Sequence, residues 1–154
     1  MKALVFTISD GVYQGTRIDK SGPALVQRLR EAGYKVPEPE VIPDERDQIA
    51  ARLRVAATDV VFTTGGTGVA PRDVTPEAVR DVIDREVPGF GELMRQAGRA
   101  STPMASLSRG LAGIVGTTLI ITLPGSPKGA LESLGAILEL VPHVHDLLNG
   151  RTAH

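Results

Sequence analysis

Apolar positions along the chain fall into two kinds of run. Lys2–Ile8 (KALVFTI), Asp59–Thr64 (DVVFTT), Leu111–Val115 and Thr118–Leu123 (TLIITL) are short and dense in apolar and β-branched residues. They read as strands, and the unbroken Val-Val-Phe suits one buried on both faces of a parallel sheet. Between these runs the apolar residues recur at helical spacing. Leu25, Val26, Leu29 and Ala32 give one stripe, opened by Ser21-Gly22-Pro23 and stopped at Gly33. Ile49, Leu53, Ala56 and Ala57 give a second after Pro43–Asp47, with Asp44 as the expected N-cap. Ala78, Val79, Val82 and Ile83 come after a Thr75 cap and Pro76, and Pro88-Gly89 is expected to break that helix.

The remaining elements obey the same signals. Phe90–Gln96 reads as a short helix and Ala97–Arg109 as loop or irregular helix. Leu131, Leu134, Ile137 and Leu138 face the core from a helix beginning near Ala130, and Pro142 separates a last one running through Leu148. Tyr34–Ile42 is an edge strand, because Pro37 and Pro39 each remove a ladder donor. Gly116-Thr117 is a hairpin turn, which gives an otherwise parallel sheet one antiparallel edge strand. The β-α-β-α-β order predicts an α/β fold with right-handed crossovers. Residues 1–150 form one expected domain, with 151–154 as a polar tail.

Ligands of such sheets bind beyond the carboxyl ends of the strands, so the turns leaving each strand are the places to look for chemistry. Asp59–Thr64 runs into Gly65-Gly66-Thr67-Gly68, then Arg72-Asp73 and a helix start. Glycines there let backbone amides converge on an anion, and Asp73 adds a carboxylate best explained by a divalent cation between the two. Thr118–Leu123 runs into Pro124–Gly129, a second glycine-containing turn into a helix at the same sheet end. Neither turn is a dinucleotide fingerprint or a phosphate-loop motif. On the residues alone, the glycine cluster is either a tight loop or a phosphate cradle. Asp44 and Ser126 are either helix caps or ligands, and Lys128 is either a solvated cation or a counter-charge. Ser9 and Asp10 lie at the end of the first strand. His143 and His145 are two apart, on different sides of a helix, and read as surface residues. Ser106 and Ser108 have no nearby partner for nucleophile activation.

Composition narrows the function classes. The 154 residues carry a formal net charge of −1, which offers no basic surplus for nucleic acid. There is no cysteine, hence no disulfide, thiolate metal site or cysteine nucleophile. Aromatics are only 3%, too few for stacking platforms. No run reaches a membrane span and no signal peptide opens the chain, so a cytoplasmic location is expected.

Taken in order, ISDGVYQG (Ile8–Gly15), IPDER (Ile42–Arg46), TTGGTGVAPRDVTPEA (Thr63–Ala78), PGFGELMR (Pro88–Arg95), LSRG (Leu107–Gly110) and LPGSPKG (Leu123–Gly129) resemble the MoaB/Mog family of molybdenum cofactor biosynthesis proteins, related to domains of gephyrin and plant Cnx-type proteins. The resemblance runs from about Met1 to Leu148. It implies an α/β/α sandwich assembled as a homotrimer. It also implies Mg2+-dependent transfer of AMP from ATP to the terminal phosphate of molybdopterin, with a product to hand to a molybdenum-inserting protein. By resemblance, Asp44 and Asp73 match the two aspartates associated with activity and with the metal. Thr64, Gly65, Gly66, Thr67 and Gly68 match the nucleotide loop, and Gly125, Ser126 and Lys128 the loop near the pterin, with Ser9 and Asp10 also in its pocket. The loop Asp10–Lys20 matches no family element. Two other classes remain open: a carrier that binds molybdopterin without chemistry, as in MoaB-type relatives, and a trimerising scaffold. The complete Arg72–Glu77 string together with Asp44 favours the enzyme. A side chain at Gly66 is expected to obstruct the ligand more than the fold.

Overall fold

A computed structural model of the chain describes residues 1–151, so the tail expected over 151–154 lies outside the described residues beyond Arg151. The strands are β1 (Ala3–Ile8), β2 (Glu40–Ile42), β3 (Val60–Thr64), β4 (Arg85–Glu86), β5 (Ala112–Val115) and β6 (Thr118–Leu123). They form one sheet in the order β2-β1-β3-β6-β5-β4. The first four in that order run parallel, while β5 is antiparallel to β6 and β4 antiparallel to β5. The antiparallel strand therefore lies one place in from the edge. The short β4, which no local sequence signal marks, covers it.

The helices are α1 (Asp10–Tyr13), α2 (Ser21–Glu31), α3 (Arg46–Arg54), α4 (Thr75–Arg80), α5 (Pro88–Arg99), α6 (Pro127–Ile137) and α7 (Leu140–Leu148). Strand side chains alternate between faces, and here both faces are apolar. Val5, Phe62 and Ile121 pack with Leu25, Met94, Leu134 and Val141 of α2, α5, α6 and α7. Phe6, Val61 and Ile120 pack with Ile49, Leu53 and Val79 of α3 and α4. The result is a three-layer α/β/α sandwich. Because β1, β3 and β6 run parallel, Ile8, Thr64 and Leu123 finish side by side, and the loops leaving them meet.

Several elements differ from their expected form. Only Glu40–Ile42 of Tyr34–Ile42 pairs as a strand, apart from a bridge between Lys35 and Lys2, as befits a segment with two prolines. The polar loop after Gly11 begins instead as α1, capped by the Ser9 hydroxyl accepting from the Val12 amide. Asp44 is not the cap of α3: Glu45 holds that position, and the Asp44 carboxylate is engaged elsewhere. Thr75 is inside α4 rather than capping it, its hydroxyl donating to the Gly65 carbonyl. Pro88 opens α5 instead of breaking a helix, since a first-turn proline gives up no helical hydrogen bond. Likewise Pro142 sits within the first turn of α7. Ala56 and Ala57 lie past the end of α3, and Ala32, Ala57 and Leu131 are exposed. Val82 and Ile83 lie past the end of α4, where Val82 is still buried. Among the described residues no helix is long and apolar enough to cross a membrane.

Candidate functional site

The glycine loop is positioned by the strand ends around it. Gly65 has φ of 104°, and a Cβ there would lie 2.2 Å from the Ile8 carbonyl oxygen. The chain can turn this tightly under β1 only without a side chain. The Gly65 amide donates to the Leu123 carbonyl and the Thr64 hydroxyl to the Pro124 carbonyl, at 3.1 and 2.7 Å. These two bonds tie the first loop to the second. The amides of Gly66, Thr67 and Gly68, and those of Gly125 and Ser126 opposite, have no hydrogen-bond partner among the described residues. Five free donors on two abutting loops can receive an anion.

Gly66 is also fixed by its surroundings. Its φ is 66°, and a Cβ would meet the Thr75 hydroxyl at 2.3 Å and Asp44 Oδ1 at 3.1 Å. A bulky residue here therefore strains the fold itself, contrary to the expectation that it would obstruct a ligand more.

Two carboxylates flank the loop. Asp44 and Asp10 exchange bonds: the Asp10 amide donates to Asp44 Oδ2 at 2.8 Å, and the Asp44 amide to Asp10 Oδ1 at 3.0 Å. Asp73 Oδ2 accepts from the Ala70 amide at 2.9 Å. Each of Asp44 and Asp73 keeps one oxygen, Oδ1, without a protein donor among the described residues. Burial raises the Asp44 carboxyl above the ordinary carboxylate range, opposed by its bond from Asp10 and reinforced by the nearby charges of Asp10 and Asp73. Ionised carboxylates crowded in this way, with an unshared oxygen each, are a donor set for a hard divalent cation. Among the described residues there is no group of three or more His, Asp or Glu placed to hold a metal. The fit is thus to a cation such as Mg2+, which takes one or two carboxylates and completes its shell with water and phosphate.

Two arginines brace these groups. Arg72 reaches Asp10 at 2.6 Å, Glu45 at 2.8 Å and the Asp44 carbonyl at 3.1 Å. Its guanidinium holds the Asp10 carboxyl below the ordinary range. Arg109 donates to the carbonyls of Gly68 and Asp73 at 2.7 and 2.6 Å, and also to Glu77, whose carboxyl it holds low. The arginine fork thereby fixes both ends of Gly68–Asp73. Neither role was legible in the sequence, because the partners lie 27 to 62 residues away.

The cleft has two lobes. One, of about 440 Å3, lies towards α5 and the 3-10 turn Pro103–Leu107, and is lined by Met94, Arg95, Met104, Leu107 and Ser108 with Thr67 and Gly68. The other, of about 730 Å3, lies between the loop after β1 and α6, and includes Ser9, Arg17, Lys20, Asp44, Thr64 and Gly65. Gly66, Asp73, Gly125 and Ser126 line both and form the waist. Thus the structure brings together Ser9, Asp44, Thr64–Gly68, Asp73, Gly125 and Ser126. It does not bring in Asp10, whose carboxylate is bonded to Arg72 and the Asp44 amide and lines neither lobe, nor Lys128, whose side chain is 78% exposed and 3.9 Å from Glu132. Ser126 caps α6 through the Gly129 amide.

Residues 4–143 match the family model described as a probable molybdopterin binding domain. The chain is 43% identical to the molybdopterin adenylyltransferase of Helicobacter pylori, over 95% of its own length and 86% of the relative's. It is also 43% identical to the molybdenum cofactor synthesis protein cinnamon of Drosophila melanogaster, where 94% of the chain corresponds to 25% of that longer protein. The crystal structure of the molybdopterin biosynthesis enzyme MoaB from Thermus thermophilus superposes with a TM-score of 0.90 at 48% identity, covering 97% of this chain and 96% of that one. A glycine loop flanked by carboxylates at the end of a parallel sheet, and these likenesses over nearly the whole length, place the chain in the family of molybdopterin-binding, molybdenum cofactor biosynthesis proteins.

Proposed function

We propose that the chain is a molybdopterin adenylyltransferase, transferring AMP from ATP to the terminal phosphate of molybdopterin and releasing pyrophosphate. The observation that carries this reading is the waist. There Gly66, Gly125 and Ser126, with free amides, and Asp73, with an unshared oxygen, line both lobes, while the free amides of Thr67 and Gly68 adjoin them in the first lobe and Asp44, with its own unshared oxygen, in the second. Two phosphorylated substrates, one in each lobe, meet at that point. The amides of Gly66–Gly68 and of Gly125-Ser126 bind and align the phosphates, which without them repel one another. Asp44 and Asp73 would hold Mg2+ between them, supplying charge neutralisation and polarisation of the α-phosphorus. No protein nucleophile is needed, because the pterin phosphate attacks. Arg72 and Arg109 touch no substrate in this scheme and keep the carboxylates and loop in register.

The test is direct. Purified chain with ATP, Mg2+ and molybdopterin is expected to release pyrophosphate, and Asp73→Ala to lower that rate by about 10²-fold or more while molybdopterin binding largely survives. Absence of pyrophosphate release by the unaltered chain overturns the reading. It would leave the reading as a carrier that binds molybdopterin without chemistry. The resemblance also implies a homotrimer of 16.3 kDa chains, and a monomer mass by light scattering refutes that assembly.

A further inference from the structure

The second lobe contains two cations that nothing so far assigns. Arg17 and Lys20 line it and have no carboxylate within ion-pair distance among the described residues. Elsewhere Arg30, Arg46, Arg52, Arg72, Arg80, Arg109 and Arg151 pair with carboxylates, while Arg28, Arg54, Arg85, Arg99, Lys2 and Lys35, like Arg17 and Lys20, have none within ion-pair distance among the described residues but line neither lobe. In the first lobe the cation is Arg95, which is committed to the carbonyls of Ser108 and Gly110.

Nor is the segment that carries Arg17 and Lys20 a loose loop. The Gly11 carbonyl accepts from the Thr16 amide, the Thr16 hydroxyl and the Arg17 amide. The Arg17 stem lies over Gly11, where a Cβ would come within 2.7 Å of it. Asp19, between them in sequence, also lines this lobe but lies beyond ion-pair distance of both, accepting instead from the Thr7 hydroxyl at 2.7 Å and the Gly22 amide at 3.0 Å. It pins the segment to the end of β1 and the start of α2, and its carboxylate is oriented to those donors. Two cations are thus held on a braced segment facing a polar cavity, with no internal partner.

We propose that Arg17 and Lys20 form the subsite for the β- and γ-phosphates of the nucleotide, and so for the departing pyrophosphate. This rests on the adenylyl-transfer reading and assigns a direction within it. In an in-line displacement the attacking and leaving oxygens lie on opposite sides of the α-phosphorus. With the α-phosphate at the waist, one partner occupies each lobe. A bond forms between a molybdopterin phosphate oxygen and the α-phosphorus, the α–β phosphoanhydride bond breaks, and its electron pair stays on the pyrophosphate oxygen. That leaving group gains charge, and the lobe with two cations not engaged in ion pairs is where the gain is stabilised. The pterin then enters from the lobe lined by Met94, Met104 and Leu107, which assigns Ser9, matched by resemblance to the pterin pocket, to the nucleotide side instead.

The experiment measures binding of inorganic pyrophosphate and, separately, of AMP to the full chain in Mg2+ buffer. Arg17→Ala with Lys20→Ala is expected to weaken pyrophosphate binding about tenfold or more, the scale of charge-assisted hydrogen bonds, with AMP binding within about twofold. Lys20→Ala alone and Arg17→Lys should fall between, and unchanged melting curves confirm folded protein, as expected for exposed side chains. Pyrophosphate affinity that survives the double substitution, or AMP affinity that falls equally, overturns the proposal. So does an unaltered chain that does not bind pyrophosphate. An unaltered chain that binds pyrophosphate through Arg17 and Lys20 yet fails to release it from ATP and molybdopterin would sink the adenylyl-transfer reading and uphold the subsite.

Discussion

Asp44 is held where ionising is unfavourable, and its consequences for stability and for activity have opposite signs. Its carboxyl lies above the ordinary range in the folded chain because of burial and the nearby charges of Asp10 and Asp73. The folded chain therefore keeps that proton to higher pH than the unfolded one, and stability linked to it is present at low pH and lost as pH rises through the folded value. Near neutral pH, Asp44→Asn removes the disfavoured charge and keeps an oxygen to accept from the Asp10 amide. It should raise the melting temperature by about 2 °C or more while adenylyl transfer falls about 10²-fold. The stability gain should shrink towards zero below about pH 4. Paired melts at the two pH values check this, and a lower melting temperature for the variant at neutral pH would contradict it. At this scale the sequence displayed residue types and neighbours, so Asp73 and the glycines stood out. Arg109 and Arg72 did not, since what each arginine grips is decided by which distant segments the sheet brings together.

Elements were legible where one local signal ruled and not where two competed. The continuous run Val60–Phe62 reads as a buried strand, and it is 0% exposed throughout. Of the two readings open for Ser126 the cap is realised, and α6 begins at Pro127 rather than near the expected Ala130. Pro88 carries the opposite lesson, because the same residue stops a helix or starts one, and only the pairing of Arg85–Glu86 with β5 shows that the preceding helix has already ended. Thr75 shows a similar competition: its hydroxyl can serve as a cap or donate to a loop carbonyl, and the Gly65 carbonyl takes it. That bond, the Gly66 carbonyl accepting from the Thr75 amide, and the left-handed backbone at Gly65 and Gly66 make the phosphate loop part of the packing of α4. Gly66→Val consequently reports on folding before it reports on a ligand.

At the scale of the whole molecule, the order β2-β1-β3-β6-β5-β4 assembles the cleft from residues far apart in the chain. Parallel strands and crossover helices were legible from the alternation of runs, whereas the neighbours of each strand, and β4, were not. That order sets Gly66, Asp73, Gly125 and Ser126 at one waist, with Ser9 and Asp44 beside it in the second lobe. Since the unfolded chain has no such constellation, a nucleotide that binds there binds the native state alone and must stabilise it by mass action. With Mg2+ present, ATP at about a hundred times its dissociation constant should contribute about 2.7 kcal/mol. For a chain of 154 residues that is a rise in melting temperature of roughly 5–10 °C. Asp73→Ala, lacking one of the two carboxylates proposed to hold the metal, should show a much smaller rise at the same concentrations. Thermal melts with and without ATP and Mg2+ measure both. If saturating ATP leaves the melting temperature of the unaltered chain unmoved, the cleft is not a nucleotide site; an equal shift in Asp73→Ala would instead remove Asp73 from the binding of the metal-nucleotide complex and leave the free amides of the two loops as its support.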